Sequence, residues 1–228
     1  YYRDICRVNV DTGELTPILS TDHEYVVFDP MSEMAANLTI SKDIFGAAGV
    51  SPNGDYIVTT RSRSDDIPVS ILVDREGNEL LKLETADVSG LPDNWQWPET
   101  VKLKAADGKT DIYGVVHRPS DFSPTKSYPV IDVSQNFGEG RHFPAGSFTN
   151  NSMAGYRYLV HSAYAELGFI VVTIFGRGTS SRYRSFSASP NPELPSSYNQ
   201  HDRIAGIRQL AERYPYIDIA RVGAGGGF

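Results

Sequence analysis

The chain has 228 residues, with 21 Lys plus Arg against 28 Asp plus Glu, and 40% of its residues are hydrophobic. This length is ample for one large domain, or for one domain and part of another. The net charge of −7 argues against nucleic acid as the main partner, because no basic stripe could offset repulsion from the phosphates. We also predict no membrane span, since no apolar run approaches the length of about 18 residues that a spanning helix needs.

Cysteine and histidine usage argues against a metal or disulfide site. Cys6 is the single cysteine, which excludes an internal disulfide and a cysteine-rich zinc site. The histidines show no metal-binding spacing, so we predict neither a metal nor a cofactor. They are His23, His117, His142, His161 and His201. The compartment stays open, because a cysteine-poor sequence suits both the cytosol and the periplasm.

The first ninety residues predict short β-strands separated by turns. The strand-like runs lie at 5–10, 24–28, 56–61, 69–74 and 80–83. Turn-forming sequences such as Asp11-Thr12-Gly13 and Ser51-Pro52-Asn53-Gly54 lie between them. This spacing suits a sandwich, a barrel or propeller blades. Because a closed propeller needs at least about four blades, we expect this region to be incomplete.

A break in the pattern marks the predicted domain boundary. Residues 86–98 combine Gly90, Pro92 and Pro98 with an irregular sequence, and we place the boundary there. A hairpin is then predicted from runs at 99–104 and 111–117. Beyond it, the compact apolar runs at 128–133 and 169–174 are typical of strands buried on both faces of a parallel sheet.

Two helical stripes alternate with these buried strands. The first consists of Tyr156, Leu159, Val160, Ala163, Tyr164 and Leu167, and Gly168 is a suitable C-terminal stop. The second consists of Ile204, Ile207, Leu210, Ala211 and Tyr214, preceded by Asp202 as a charge suited to a helix N-terminus. A third strand follows at 217–223, whereas 185–197 reads as a surface loop. This order predicts a doubly wound α/β layout.

The glycine cluster at 223–228 is the strongest chemical signal. A strand running into glycines suits a tight strand-to-helix turn, where glycines avoid side-chain clashes. A nucleophile elbow, G-x-S-x-G, would hold a serine there, but no serine follows Ser197. A dinucleotide fingerprint, G-x-G-x-x-G, fits only at Gly223 and Gly225, because its third glycine would fall on Phe228. The hypothesis of a nucleotide-binding α/β domain therefore holds only if the glycine cluster binds phosphate. The simpler alternative is a glycine-rich terminus without a catalytic role.

From Gly49 onwards the chain resembles the prolyl oligopeptidase family of serine peptidases, in particular its dipeptidyl-peptidase-IV-like branch. The matching stretches are SPNGDYIVTTRSR (51–63), ETVKLKAADGKTDIYGVVHRPSDF (99–122), YPVID (128–132), AELGFIVVTIFGRGTS (165–180) and AGIRQLAERYPYIDIARVG (205–223). The resemblance implies a β-propeller that caps an α/β-hydrolase domain. We therefore expect residues 1–90 to be the C-terminal part of a propeller. Residues 91–228 would be the N-terminal half of the hydrolase domain, ending at the nucleophile elbow.

The resemblance places an elbow without its serine at the end of the chain. Aligning the terminal glycines with the family's elbow puts Ala224 at the serine position, with about four elbow residues missing. Gly223, Gly225 and Gly226 would belong to this turn. The family's catalytic acid and base follow the serine in chain order, so neither is present in this sequence.

Two further family positions carry unexpected residues. The family's oxyanion tyrosine would fall on Gln135, with Asn136 next to it, and an amide side chain could donate to an oxyanion. A solvated loop amide is the alternative reading. The family's Asp-Gly-Arg-Gly reads Phe175-Gly176-Arg177-Gly178, which puts Arg177 near the site, where we expect it to brace loops.

These observations leave two main functional hypotheses. The first is part of a serine peptidase that hydrolyses short peptides, with the 228-residue chain inactive by itself. The second is a catalytically dead relative that binds a peptide or a protein partner as a scaffold. The expected partner is accordingly a peptide substrate or peptide ligand, and the resemblance also implies a possible homodimer.

Overall fold

A computed structural model describes residues 4–26, 49–133, 153–179 and 195–225. The described residues form two compact units. The first unit contains those up to Gly90 together with residues 153–158, and the second contains the others from Leu91 onwards.

The first unit consists of a hairpin and a four-stranded antiparallel sheet. The hairpin pairs β1 (Ile5–Val8) with β2 (Leu15–Leu19). The sheet has the order β3-β4-β5-β6, with β3 at Glu24–Val26, β4 at Tyr56–Arg63, β5 at Asp66–Asp74 and β6 at Glu79–Thr85. Alternate side chains such as Ile57, Ile71 and Val73 are buried together with Tyr25 and Leu19, as period-two strands require.

The predicted strands of this unit are confirmed where the structure describes them, except that β1 ends at Val8, so that Asn9 and Val10 of the predicted run 5–10 lie beyond it. Strand β2 was not predicted. Pro17 lies within β2, and the sequence did not indicate a strand there because proline normally argues against one. The hairpin accommodates Pro17 because, among the residues that the structure describes, β2 pairs with β1 alone and is an edge strand. Residues 27 and 28 of one predicted run lie outside the described residues.

The second unit is built on a five-stranded mixed sheet with the order β11-β9-β10-β8-β7. The strands are β7 (Glu99–Lys104), β8 (Asp111–His117), β9 (Tyr128–Asp132), β10 (Ile170–Phe175) and β11 (Ile217–Ala224). Strands β7, β8 and β10 pair antiparallel, whereas β10, β9 and β11 are parallel to one another. Helix α1 (Met153–Glu166) connects β9 to β10, and helix α2 (Pro195–Arg213) connects β10 to β11.

The two faces of this sheet pack against different helices. On one face, Val130 and Val172 lie in the main core together with Ile207 and Leu210 of α2. On the other face, Val133 and Val171 pack against Ala165 of α1. Because successive strand residues point to opposite faces, this division follows from the continuous apolar runs. The predicted strand, helix, strand, helix, strand order is thus confirmed.

The predicted buried stripe of α1 is wrong, although the helix and its stop are confirmed. Leu159, Tyr164 and Leu167 are 52%, 42% and 72% exposed. The buried positions of the described side chains include Ser162 and Ala165 instead. Apolar periodicity failed because a hydrogen-bonded serine takes a buried position, with its Oγ 3.3 Å from His117 Nδ1. Gly168, with φ of +94°, lies just after the helix as predicted.

Helix α2 begins earlier than predicted, and this changes the interpretation of Asp202. The helix starts at Pro195, so 195–197 are helical and the remainder of the predicted loop after 185 lies outside the described residues. Asp202 is therefore a fully buried interior residue and not an N-terminal charge. Ile204 of the predicted stripe is 49% exposed, because α2 packs on the sheet with the face that carries Ile207 and Leu210.

Candidate active site at the carboxyl ends of the parallel strands

Three parallel strands end at one edge of the five-stranded sheet. We call this the carboxyl edge; it contains Asp132 of β9, Phe175 of β10 and Ala224 of β11. The chain leaves β9 towards β10 on one side and then returns across β9 to form β11 on the other. This reversal makes the gap between β9 and β11 a topological switch point. In open α/β sheets, ligands bind in the crevice outside such a point.

The end of β11 is joined to the end of β9 by register and by a hydrogen bond. Ala224 lies opposite Asp132 in the parallel ladder. The N–H of Gly225 donates to the main-chain oxygen of Asp132 at 2.8 Å. The sequence-predicted elbow positions Gly223, Ala224 and Gly225 thus lie at the switch point.

We expected glycine at positions 223 and 225 because a side chain would clash there, but the structure leaves room for a Cβ at both positions. A Cβ at Gly223 would be 3.9 Å from the nearest atom, the Val130 main-chain oxygen. A Cβ at Gly225 would lie 3.4 Å from Ile131 Cγ2, an ordinary van der Waals contact. The reason is that Gly223 continues the ladder with β9 and Gly225 extends it by one hydrogen bond. Gly226 lies outside the described residues.

The predicted oxyanion residues, Gln135 and Asn136, also lie outside the described residues. The structure describes the chain as far as Val133, whose N–H donates to the main-chain oxygen of Val172 at 3.0 Å. In the sequence they come three and four residues after Asp132, where β9 ends.

Arg177 lies just after β10 and is held by two carboxylates. Its Nε and Nη2 donate to the Asp202 carboxylate at 2.9 and 2.7 Å, and its main-chain N–H donates to Asp202 Oδ2 at 2.8 Å. Its Nη1 donates to Asp107 Oδ2 at 2.9 Å. The guanidinium therefore ties the loop after β10 to α2 and to the β7–β8 turn. Such a bidentate pair restricts both orientation and position.

Both carboxylates that hold Arg177 have several other donors. Asp202 also accepts the N–H of Ala106 at 2.9 Å and is fully buried. The hydroxyl and N–H of Thr110 and the N–H of Lys109 hold the pKa of Asp107 well below its usual range, with a smaller contribution from Arg177. Asp107 is thus a stable anion at neutral pH.

Gly176 is required by close packing between the loop and α2. A Cβ at this position would lie 2.7 Å from Asn199 Oδ1 and 2.8 Å from Asp202 Cβ. These distances are shorter than atoms tolerate, so the loop approaches α2 this closely only with glycine.

A second ion pair lies beneath the end of β9, and sequence reasoning did not identify it. Arg203 Nε donates to Asp132 Oδ2 at 2.8 Å, and its Nη2 reaches the same oxygen at 2.5 Å. Both side chains are only 8% exposed. The sequence did contain two signals for this ion pair. One is an aspartate that ends an apolar strand, and the other is an arginine among the apolar positions of a helix. Such charged residues are rarely buried without a partner.

The buried histidine of this unit lies at the opposite edge of the sheet. His117 ends β8, which runs antiparallel to β10. Burial, together with the neighbouring His161, lowers the pKa of His117 to about 3. The two rings are 5.5 Å apart and nearly perpendicular. His117 is thus remote from the carboxyl edge and neutral at physiological pH.

A cluster of charged and aromatic residues also lies at that opposite edge. Arg118 donates to Tyr216 Oη at 2.8 Å and to the Glu99 carboxylate. Burial favours protonation of Glu99, but hydrogen bonds from Tyr214 and Arg118 outweigh it and lower its pKa. Because the Arg118, Glu99, Tyr214 and Tyr216 side chains hydrogen-bond to one another, we interpret this cluster as stabilising the sheet.

The described residues contain no group of three or more side chains placed to bind a metal. No helix among them is both long and apolar enough to cross a membrane.

Comparison with known proteins finds relatives among the dipeptidyl peptidases. No protein-family model matches the chain. Human dipeptidyl peptidase 8 is 32% identical over 136 residues, which cover 60% of this chain and 14% of that protein. The chain is thus similar in sequence to part of a dipeptidyl peptidase. An Aspergillus niger protein named "probable dipeptidyl-aminopeptidase B" is 29% identical over 225 residues, 96% of this chain and 22% of that protein.

A solved structure shows the same fold over almost the whole chain. Porphyromonas gingivalis dipeptidyl peptidase 4 superposes with a TM-score of 0.65 at 20% identity, covering 99% of this chain and 28% of that one. The chain thus spans well under a third of each of these proteins.

Proposed function

We propose that this chain is part of a serine peptidase of the dipeptidyl-peptidase type. Residues 91–228 would form the N-terminal half of an α/β-hydrolase domain, and residues 1–90 the C-terminal part of a β-propeller. The observation that carries this proposal is the switch point between β9 and β11. The proposed nucleophile position, Ala224, lies on one side of it, and the proposed oxyanion residues, Gln135 and Asn136, follow the other.

In a complete peptidase of this type, the mechanism would be acyl transfer to a serine at the elbow after β11, the position that Ala224 occupies in this chain. The serine would attack the scissile carbonyl, with a histidine as general base and an aspartate to orient it. Donors after β9 would stabilise the developing oxyanion. Arg177 would contribute by bracing the loop after β10, because its guanidinium is bonded to Asp107 and Asp202.

The 228-residue chain by itself would not hydrolyse peptides. It has alanine at the proposed serine position and no serine after Ser197. Oxyanion donors and substrate binding alone supply a rate enhancement of roughly 10³- to 10⁴-fold over the uncatalysed reaction. This is far below the rate of a complete triad.

The alternative is a catalytically dead relative that binds peptides or a protein partner. Phe175 in place of the family's charged residue and Ala224 in place of its serine favour this reading. The two readings differ in what this chain does by itself. In the first, peptide binding and cleavage require the larger enzyme, whereas in the second this chain binds a peptide at the carboxyl edge without cleaving it.

Hydrolysis and binding assays separate the two readings. The purified chain would be tested with chromogenic dipeptide substrates, and binding of uncleavable dipeptide analogues would be followed by calorimetry. Neither hydrolysis nor binding is expected if the chain is an incomplete enzyme. Saturable binding without hydrolysis would favour the scaffold. Hydrolysis that survives repurification would contradict the proposed nucleophile position.

A further inference from the structure

Strand β7 forms one edge of the five-stranded sheet. It pairs with β8 on one side, and no other strand that the structure describes pairs with its opposite side. The N–H of Ala105 donates to the main-chain oxygen of Thr110 at 2.8 Å, on the β8 side. Because main-chain groups alternate between the two sides of an antiparallel strand, those of Lys102 and Lys104 point away from β8. Outward groups of this kind are a template on which a further strand can pair.

Gln209 of α2 occupies both outward main-chain groups of Lys104. Its Oε1 accepts the N–H of Lys104 at 2.9 Å, and its Nε2 donates to the main-chain oxygen of Lys104 at 2.8 Å. The same Nε2 also donates to the main-chain oxygen of Ala205, one helical turn earlier, at 2.9 Å, which fixes the orientation of the amide. A residue of a neighbouring antiparallel strand would exchange the same two hydrogen bonds with Lys104. The Gln209 amide therefore takes the place of a strand neighbour.

Two more residues of α2 continue this contact along the edge. Arg213 Nη2 donates to the main-chain oxygen of Lys102 at 3.2 Å, and Asp202 Oδ1 accepts the N–H of Ala106 at 2.9 Å. Asp202, Gln209 and Arg213 have the spacing i, i+7 and i+11, which places them on one face of the helix. They bind positions 106, 104 and 102, which are the alternate positions that point away from β8. One face of α2 thus follows the outer edge of β7.

The lysines of β7 give this edge only part of its protection. Lysine on an edge strand commonly opposes strand addition through its charge. Here the Nζ atoms of Lys102 and Lys104 lie 2.8 and 2.6 Å from carboxylate oxygens of Asp111 on β8. The carboxylate offsets part of their charge and holds both ammonium groups towards β8. Protection of the outward main-chain groups therefore depends on α2.

We propose that α2 closes the outer edge of β7 against strand addition, with the Gln209 amide as the substitute for a strand neighbour. The partner that it excludes is a second copy of this chain. Two copies present the same outward main-chain groups, so their β7 edges would pair antiparallel about a two-fold axis. This inference does not depend on the proposed peptidase function, because β7 lies at the far edge of the sheet from β11.

Hydrogen exchange of single amides, followed by NMR, tests the contact itself. In Gln209→Ala, the amide of Lys104 should exchange at least about tenfold faster than in the parent chain, because it loses its acceptor. The amide of Ala105 should keep its parent rate, because its acceptor, Thr110, is on the β8 side. Equal acceleration of both amides would indicate general loosening of β7 and would overturn the specific role of Gln209, as would an unchanged rate at Lys104.

Sedimentation equilibrium over a range of chain concentrations tests the consequence. Gln209→Ala should self-associate at least about tenfold more tightly than the parent chain, because its β7 edge is open. Adding Lys104→Pro should return association to the parent level, since proline has no N–H to offer a second strand and is tolerated on edge strands. Arg208→Ala, at an exposed position of α2, is the matched control and should associate as the parent does. Parent-level association of Gln209→Ala, or association that survives Lys104→Pro, would overturn the inference.

A second variant separates the amide from the packing of its side chain. Gln209→Met keeps a side chain of similar length on α2 but cannot reproduce the two hydrogen bonds to Lys104. It should show the same fast exchange at Lys104 and the same association as Gln209→Ala. A methionine variant that behaves as the parent chain would overturn the role given to the amide, even if Gln209→Ala folds poorly.

Discussion

At the scale of single residues, the carboxyl edge depends on buried charges that have several partners each. Asp202 is fully buried and accepts hydrogen bonds from Arg177 and from the N–H of Ala106. Such a carboxylate is tolerated because its donors replace the water it has lost. Removing its charge should therefore cost far more than removing an exposed carboxylate from the same helix.

Substitution of Asp202 measures this cost. Asp202→Ala removes two side-chain hydrogen bonds from the Arg177 guanidinium, which is 24% exposed, and keeps the one to Asp107. We expect a loss of about 3 kcal/mol in the free energy of unfolding, the lower end for breaking a buried pair. Urea titration followed by circular dichroism would measure it. Glu212→Ala, an exposed acidic position on α2, should change stability by less than about 0.5 kcal/mol. Equal effects of the two substitutions would refute the role given to Asp202.

His117 should make the stability of the chain sensitive to mild acid. Its pKa of about 3 in the folded chain lies below the unfolded value of 6.5. The unfolded chain therefore binds a proton that the folded chain does not, and stability is lost as the pH falls below 6.5. The expected contribution between pH 6 and pH 4 approaches about 1.4 kcal/mol per pH unit.

Replacement of His117 should flatten this dependence. His117→Gln keeps an acceptor for Ser162 but does not titrate, so its free energy of unfolding should fall less steeply between pH 6 and pH 4. His201→Gln, at an exposed position, should retain the slope of the parent. An unchanged slope in His117→Gln would show that His117 binds its proton equally well in both states.

At the scale of elements, close packing within the sheet limits which side chains the β8–β10 pair can carry. Gly114 of β8 faces β10, and a Cβ there would lie 2.7 Å from the main-chain oxygen of Thr173. That oxygen belongs to the backbone and cannot rotate away. The pairing of β8 with β10 at this point thus depends on glycine.

Gly114→Ala should consequently destabilise the second unit by about 1–3 kcal/mol through overpacking. Gly90→Ala is the matched control, because no atom lies within 4 Å of its added Cβ and its φ is not in the left-handed region. Thermal unfolding of both variants would test this. A melting temperature that falls equally in both would indicate a general loss of glycine flexibility and not a clash at β10.

The elements themselves could be predicted from the sequence to a large extent, and their contacts could not. Apolar runs identified β9 and β10, because strands buried on both faces leave an uninterrupted signal. Periodicity misplaced the buried face of α1, since Ser162 satisfies its hydroxyl with a partner distant in sequence. Asp202 was misinterpreted for the same reason: its partner Arg177 lies 25 residues away. A polar contact between residues that are distant in the sequence produces no periodic pattern in that sequence.

At the scale of the whole molecule, the chain combines a β-rich first unit with a second unit in which the ends of β9 and β11 lie side by side. The resemblance to serine peptidases placed Ala224 at the nucleophile position, and the fold brings Ala224 next to the end of β9. The residues proposed for the oxyanion region could be predicted only from this resemblance, since no local pattern marks an amide as a donor.

The central claim is that the position of the catalytic serine in this chain is Ala224, so that no activated serine is present. The direct measurement is the intact mass of the purified chain after treatment with a fluorophosphonate, a reagent that modifies activated serines. We expect an unchanged mass under conditions that fully label a control serine hydrolase. One stoichiometric adduct on any serine of this chain would contradict it.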